Sequence, residues 1–200
     1  MSYKEYQPKI AELASGSEAG YNATILFAIV SARVHFYDMP SAMEDIKKKG
    51  DQSRYLYGCK GTGFAYLTDD IPFQNDKVKK WQSDPDYFAS HALAHYLHYP
   101  GLGLIKAGFV VQMVLGKIGC LDTHNMERFG ISQRTIQSRS FYSWVATERY
   151  ILACRKAGTP EYLWDSWCTL IAEKYPSHFD STEEVSKSHW DVINNYANGG

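Results

Sequence analysis

The stretch that decides the fold runs from Tyr99 to Arg128 and reads YPGLGLIKAGFVVQMVLGKIGCLDTHNMER. It opens with a tight turn over residues 100–103, where proline fixes φ and glycine accepts the positive φ that other residues resist. An apolar run of helical length follows from Leu104 to about Leu115, and Gly116 suits the left-handed position just past a helix end. The pattern predicts a helical hairpin whose second helix is buried.

A further helix start follows the glycine-containing loop of residues 116–122. Asp122 or Thr123 can cap this helix, because their side-chain oxygens accept the unpaired backbone N–H groups of a first helical turn. A junction between a loop and a helix also holds a side chain firmly in place. Asp122 is therefore either a structural N-cap or, in addition, a fixed carboxylate with a chemical role.

These residues resemble the helix-hairpin-helix (HhH-GPD) DNA glycosylase superfamily, which contains endonuclease III and the adenine glycosylase. In that superfamily a Pro-Gly-hydrophobic-Gly hairpin is followed by a helix containing alanine, a Gly/Pro-rich loop and an aspartate that often precedes Thr-His. The matching positions here are Pro100, Gly101, Leu102, Gly103, Ala107, Gly116, Asp122, Thr123 and His124. The resemblance covers about 30 residues, and the distance from Ala107 to Asp122 is one residue shorter than in the family.

The resemblance implies an all-α, two-lobed fold that occupies residues 1–200 as a single domain, with the helix-hairpin-helix at about 86–115. It implies double-stranded DNA as the partner and Asp122 as the catalytic carboxylate for hydrolysis of a base–sugar bond. A hairpin and a helix N-terminus present backbone N–H groups that bind phosphate. The residues expected to contact DNA are Pro100, Gly101, Leu102, Gly103, Lys106, His124 and Arg128.

One departure concerns the lysine with which bifunctional members of the superfamily form a Schiff base. In the hairpin register its place is held by Ile105, and Lys106 comes one residue later. One residue turns a side chain about 100° around a helix of 3.6 residues per turn. We therefore expect Lys106 to miss the pocket, and we expect hydrolysis without strand cleavage. The alternative is a non-catalytic relative, an architectural or virion-associated DNA-binding protein that keeps the scaffold.

Composition limits the other classes of function. The formal net charge of −1 excludes a global basic field that would attract DNA. Contact must then be local, and residues 99–140 carry a net charge of +3. The 29 aromatic residues are either core or stacking surface for bases.

Cysteine spacing and hydropathy predict the absence of a metal, a cofactor and a membrane helix. The cysteines at 59, 120, 154 and 168 form no Cys-x-x-Cys pair, so neither zinc nor an iron–sulfur cluster is expected. We expect no metal and no cofactor. No apolar run approaches the ~20 residues of a membrane helix, and the N-terminus does not resemble a signal peptide. The sequence predicts a cytoplasmic protein with no membrane partner.

The rest of the chain reads as helices. The run from Asn22 to Arg33 predicts a core helix, and its Ser-Ala-Arg end resembles a glycosylase segment that points a polar side chain toward DNA. Arg33 departs from the glutamine of that segment, and a surface salt bridge is the equal alternative. The expected walls of a base pocket are Phe27, His35, Phe36 and Tyr37. No separate general acid is assigned.

Six further segments carry predictions. Ser41-Ala-Met-Glu44 has the form of a capping box that starts a helix ending at Gly50. Residues 51–76 lack periodicity; their glycines fit no phosphate-loop spacing and predict a flexible connector. A helix from about 86 to 97 places His91, His95 and His98 on one face, as a metal site or as a surface lining. Helices are also expected over 133–156, 161–174 and 182–195.

Overall fold

The computed structural model describes residues 2–69, 75–132, 136 and 144–199, and within these ranges the protein is all helical. The all-α prediction is confirmed for this part of the chain, whereas the two-lobed glycosylase arrangement stays a prediction. The helices are α1 (Tyr3–Gly16), α2 (Glu18–Val30), α3 (Met39–Lys49), α4 (Cys59–Asp69), α5 (Asn75–Ser83), α6 (Pro85–Tyr96), α7 (Leu104–Leu115), α8 (Thr123–Arg128), α9 (Trp144–Ala157), α10 (Pro160–Lys174) and α11 (Thr182–Asn198).

Helix α2 lies at the centre of the fold, as its apolar sequence predicts. Ser17 caps it, its hydroxyl oxygen accepting the backbone N–H of Gly20 at 3.0 Å. A Cβ at Gly20 would clash with the backbone of Leu13, so the glycine allows α1 to pack closely. Helix α2 also contacts α3, α4, α7 and α11. The C-terminal end of α2 consequently lies in the interior of the protein.

The capping-box prediction for α3 is wrong. The helix begins at Met39, two residues before Ser41, and has no side-chain cap. Pro40 occupies its first turn, where a missing N–H costs nothing, and so the start moves upstream. The helix ends at Gly50, as predicted, and the φ of 58° at this position favours glycine.

The connector prediction for residues 51–76 is wrong over α4, whose glycines allow close packing. The buried positions of this helix are Lys60, Gly63 and Leu67, so a lysine and a glycine stand where an amphipathic pattern has apolar residues. A Cβ at Gly63 would clash with the carbonyl oxygen of Pro100, which shows that α4 rests directly on the turn at 100–103. Residues 70–74 lie outside the described part of the chain.

The helical hairpin is confirmed. Helix α6 starts at the Asp84 cap, which accepts the N–H of Tyr87 at 3.2 Å, and α7 ends at Gly116 with φ 65°. Every side chain of α7 from Ala107 to Leu115 is buried. The fully buried part of α7 therefore begins at Ala107, about one helical turn after the hairpin.

The C-terminal helices complete the core. Thr159 caps α10 as predicted, its hydroxyl accepting the N–H of Tyr162 at 3.1 Å. The helix predicted over 133–156 is described from Trp144 onward. Arg134 and Arg139, two of the cations behind the net charge of +3 over residues 99–140, lie outside the described residues. None of the described helices has both the length and the apolar character that crossing a membrane requires.

Candidate functional site

A cavity of about 310 Å³ runs from the surface into the core between the end of α2, the middle of α7, the start of α8 and helices α10 and α11. Its outer part contains exposed side chains such as Arg33 and Lys174, and its inner part contains fully buried ones such as Phe27. The remaining lining residues are Ser31, Ala32, Val34, His35, Phe36, Met39, Lys106, Phe109, Gln112, Cys120, Asp122, Thr123, His124, Asn125, Leu163, Trp164, Trp167, Ile171, Tyr175 and His189.

Asp122 lines this cavity and also caps α8. Its Oδ1 accepts the backbone N–H of Asn125 at 2.9 Å, which fixes the carboxylate at the helix start. Burial raises the pKa of Asp122, and the Asn125 N–H, the charges of His124 and Lys106 and a hydrogen bond from Trp167 partly offset that effect. The structural and the chemical interpretations of Asp122 are thus compatible, because one oxygen caps the helix while the group faces a cavity.

The expectation that Lys106 misses the pocket is wrong. Its side chain lines the cavity, and Nζ donates a hydrogen bond to Ser31 Oγ at 2.8 Å. Lys106, Phe109 and Gln112 are three residues apart, share one face of α7 and all line the cavity, so the packing turns this face, and not that of position 105, toward the cavity. Ile105 is partly buried and is not a lining residue. The hairpin stretch therefore contributes both an acid and an amine to one cavity.

The residues that follow Asp122 divide between the cavity and the neighbouring helix. Thr123 and His124 line the cavity beside the carboxylate. Arg128 does not; its Nη1 donates to Ser166 Oγ at 2.8 Å and ties α8 to α10. The structure thus brings His124 together with Asp122 and places Arg128, which is exposed, on another side of α8.

The hairpin at 100–103 has an inner and an outer part. Leu102 is buried, and its N–H donates to the carbonyl of Tyr99 within the turn. Gly101 has φ 86° and lies against the carbonyl oxygen of Cys59. Gly103 is exposed, has open space at the position of a Cβ, and precedes α7 without a side-chain cap. The N–H groups at the start of α7 are consequently available to an anion.

The loop after α2 forms one wall of the cavity, as predicted for His35 and Phe36. Tyr37 is not a lining residue; it stacks behind His35 with ring centroids 5.3 Å apart. Arg33 lines the cavity mouth and adopts φ 62°, an uncommon conformation for a residue with a side chain. No described carboxylate forms an ion pair with Arg33, so the salt-bridge alternative finds no partner in this part of the chain.

The inner wall of the cavity contains functional candidates that carry no local sequence signal. Trp164, Trp167 and His189 come from α10 and α11, more than 40 residues beyond Asp122. Trp167 and Leu163 read as an ordinary helical core face, and nothing local marks His189. Lys60 was also missed: it is 4% exposed and its Nζ donates to the carbonyl of Val30 at 3.0 Å, next to the cavity. Only the packing of distant helices brings these groups together.

The histidine face of α6 takes part in a hydrogen-bond chain at the base of the hairpin. Lys77 Nζ lies 3.1 Å from His95 Nδ1, and His95 Nε2 lies 3.4 Å from the hydroxyl of Tyr99, which is 2.9 Å from that of Tyr21. An ammonium group only donates, so Nδ1 accepts and Nε2 carries the proton. Both nitrogens of His95 are engaged, and the described residues include no group of three or more potential ligands for a metal ion.

The pH dependence of stability tests this chain. Burial, with the charges of Lys77 and His98, lowers the pKa of His95 to about 4 from 6.5. Between about pH 6.5 and pH 4, His95 is thus protonated in the unfolded chain but neutral in the folded protein, so the free energy of unfolding decreases as the pH falls through this range. We expect urea denaturation to show a smaller free energy of unfolding at pH 5 than at pH 7. His95→Gln should reduce this slope, with His189 keeping the remainder because burial lowers its pKa too, while exposed His178→Gln should leave the slope unchanged. Equal slopes in all three proteins would contradict the assignment.

Comparison with protein-family models, with curated proteins and with solved structures gave no match to this chain.

Proposed function

We propose that the protein binds double-stranded DNA through the hairpin and hydrolyses the base–sugar bond of a damaged, mismatched or modified nucleotide held in the cavity. One observation carries this proposal: Asp122, held in place as the N-cap of α8, lines an aromatic-walled cavity together with Lys106. Lys106 lies about one helical turn after the hairpin. Chemistry on a base requires the nucleotide to leave the stack and enter such a pocket. The resemblance of residues 100–124 to the glycosylase superfamily supports the same reaction.

Asp122 supplies the chemistry in this proposal. Breaking the bond between C1′ and the base nitrogen leaves the electron pair on the base and positive charge on the sugar. A fixed carboxylate stabilises that charge and accepts a proton from the water whose oxygen bonds to C1′. The raised pKa of Asp122 makes it a stronger base than an exposed aspartate. The departing nitrogen takes up a proton, which completes the hydrolysis.

In this proposal the hairpin binds the phosphate backbone of the DNA. Gly103 lets a phosphate approach the uncapped start of α7, because nothing occupies the space where a side chain would lie. Pro100 and Gly101 shape the turn, and Leu102 anchors it in the core. Lys106 adds a cation and His124 an imidazole on the cavity side. Such contacts hold the backbone and carry no information about base sequence.

Base release from defined duplexes tests the proposal. The wild-type protein is incubated with a panel of duplexes, each with one damaged, mismatched or modified base, and free base is measured by mass spectrometry. We expect release from at least one duplex, with an abasic site left in the strand. Binding to duplex DNA without release from any member would favour the non-catalytic alternative, and absence of binding would contradict both.

Trapping with borohydride tests whether Lys106 acts as a nucleophile. Its Nζ donates a hydrogen bond to Ser31 Oγ at 2.8 Å, which holds the amine against the end of α2. We therefore expect no covalent adduct on an abasic duplex, as hydrolysis without strand cleavage requires. An adduct that is lost in Lys106→Gln but retained in the matched variant Lys117→Gln would show that Lys106 forms a Schiff base.

A further inference from the structure

His189 is the most deeply buried titratable side chain of the cavity. It is 1% exposed and lines the cavity floor from α11. The rings of Phe36 and Trp164 lie with centroids 4.5 Å from its own, and those of Trp167, Phe27 and Phe109 lie within 5.9 Å. An apolar ring at this position would fill the same space without the cost of burying two ring nitrogens, so packing alone does not account for an imidazole here.

The tautomer of His189 follows from its one hydrogen bond. Nδ1 lies 2.9 Å from the carbonyl oxygen of Val185, and a carbonyl only accepts. Nδ1 therefore carries the proton, and Nε2 presents a lone pair. Burial lowers the pKa of His189 to about 3, so the ring keeps this neutral form at physiological pH. In the described chain Nε2 has no hydrogen-bond partner, which leaves it as a fixed acceptor.

The other inner polar side chains of the cavity are already engaged with the protein. Gln112 donates to the carbonyl of Pro160 at 2.7 Å and accepts the N–H of Cys120 at 3.1 Å. Asn125 donates to the carbonyl of Cys120 at 2.9 Å, and the Trp164 indole donates to Ser186 at 2.8 Å. Apart from Asp122 and Lys106, His189 is thus the inner polar side chain that remains available to form a hydrogen bond with a ligand.

We propose that His189 determines specificity: its Nε2 accepts a hydrogen bond from an N–H on the edge of the heterocyclic base that enters the cavity. This inference rests on the proposed function, because it takes the cavity as the place where a base binds. The aromatic rings around His189 suit a planar heterocycle, and Lys106 can donate to a carbonyl or ring nitrogen beside the N–H. A base methylated at that nitrogen would leave Nε2 buried without a partner.

Nucleoside binding tests the inference without requiring catalysis. Thymidine and N3-methylthymidine are titrated into the full-length protein at millimolar concentration, and quenching of tryptophan fluorescence reports occupancy beside Trp164 and Trp167. We expect the wild type to prefer thymidine by about fivefold, the value of one net hydrogen bond of about 1 kcal/mol. His189→Phe should bind both nucleosides equally, while His178→Phe, a change at an exposed histidine outside the cavity, should keep the preference.

A measurement on the wild type guards against misfolding of His189→Phe. The ¹⁵N resonance of His189 Nε2 should show an unprotonated nitrogen and should shift on addition of thymidine but not of its N3-methyl form. Equal affinity of the wild type for both nucleosides, no binding of either, or an unmoved resonance would overturn the inference. If thymidine is preferred but no duplex releases base, the recognition by His189 stands and excision fails.

Discussion

Replacing Asp122 with asparagine is expected to lower base release by about 10²–10³-fold, the usual cost of removing one group that stabilises transition-state charge. Asparagine caps a helix about as well as aspartate, so the hydrogen bond to the Asn125 N–H has a substitute. The amide cannot accept the proton of the attacking water. Rates of base release under single-turnover conditions measure the effect, on whichever duplex the wild type cleaves.

Stability measurements distinguish lost chemistry from a lost fold in this variant. Burial raises the pKa of Asp122, so its favourable contribution to stability is present below its unfolded pKa and is lost as the pH rises through the folded value. Asp122→Asn should consequently be no less stable than the wild type at pH 7. Its relative advantage should shrink on acidification. Full activity in Asp122→Asn would contradict the catalytic role, and Asp86→Asn on α6 serves as the matched control.

Two alanine substitutions in the hairpin should differ in their effect on the free energy of unfolding. Gly101 has φ 86°, and a Cβ there would lie 3.0 Å from the carbonyl oxygen of Cys59. We expect Gly101→Ala to lower the free energy of unfolding by at least about 1–2 kcal/mol, the cost of a left-handed residue with a side chain. Gly103 has φ −87° and open space around it, so Gly103→Ala should fold with little loss.

The expected defect of Gly103→Ala is in DNA binding. Its methyl group occupies the space through which a phosphate would approach the start of α7, and loss of one hydrogen bond to a charged group lowers affinity by about tenfold or more. Urea denaturation and fluorescence anisotropy with a labelled duplex measure the two properties in both variants. Unchanged DNA affinity in Gly103→Ala would contradict the hairpin as the binding element.

The local elements of the site could be predicted because each depends on neighbours in sequence. The turn at 100–103, the end of α7 at Gly116 and the Asp122 cap follow from backbone preferences and from short-range hydrogen bonds. Errors arose where a distant contact outweighed a local signal. Glycines in α4 suggested a connector because their role, close packing on Pro100, depends on a residue about 40 positions away.

The sequence alone determined that the chain is helical, that a hairpin precedes a buried helix, and that an acid is held at the start of the next helix. Tertiary packing decided which side chains share the cavity. The family register predicts Lys106 outside the cavity, whereas the packing of α7 turns Lys106 toward it, and its Nζ donates to Ser31 just beyond the end of α2. His189 carries no local signal, because its environment is built from rings on α2, α7 and α10 and from the loop between α2 and α3. Caps and turns are short-range, whereas a cavity is formed by the arrangement of whole helices.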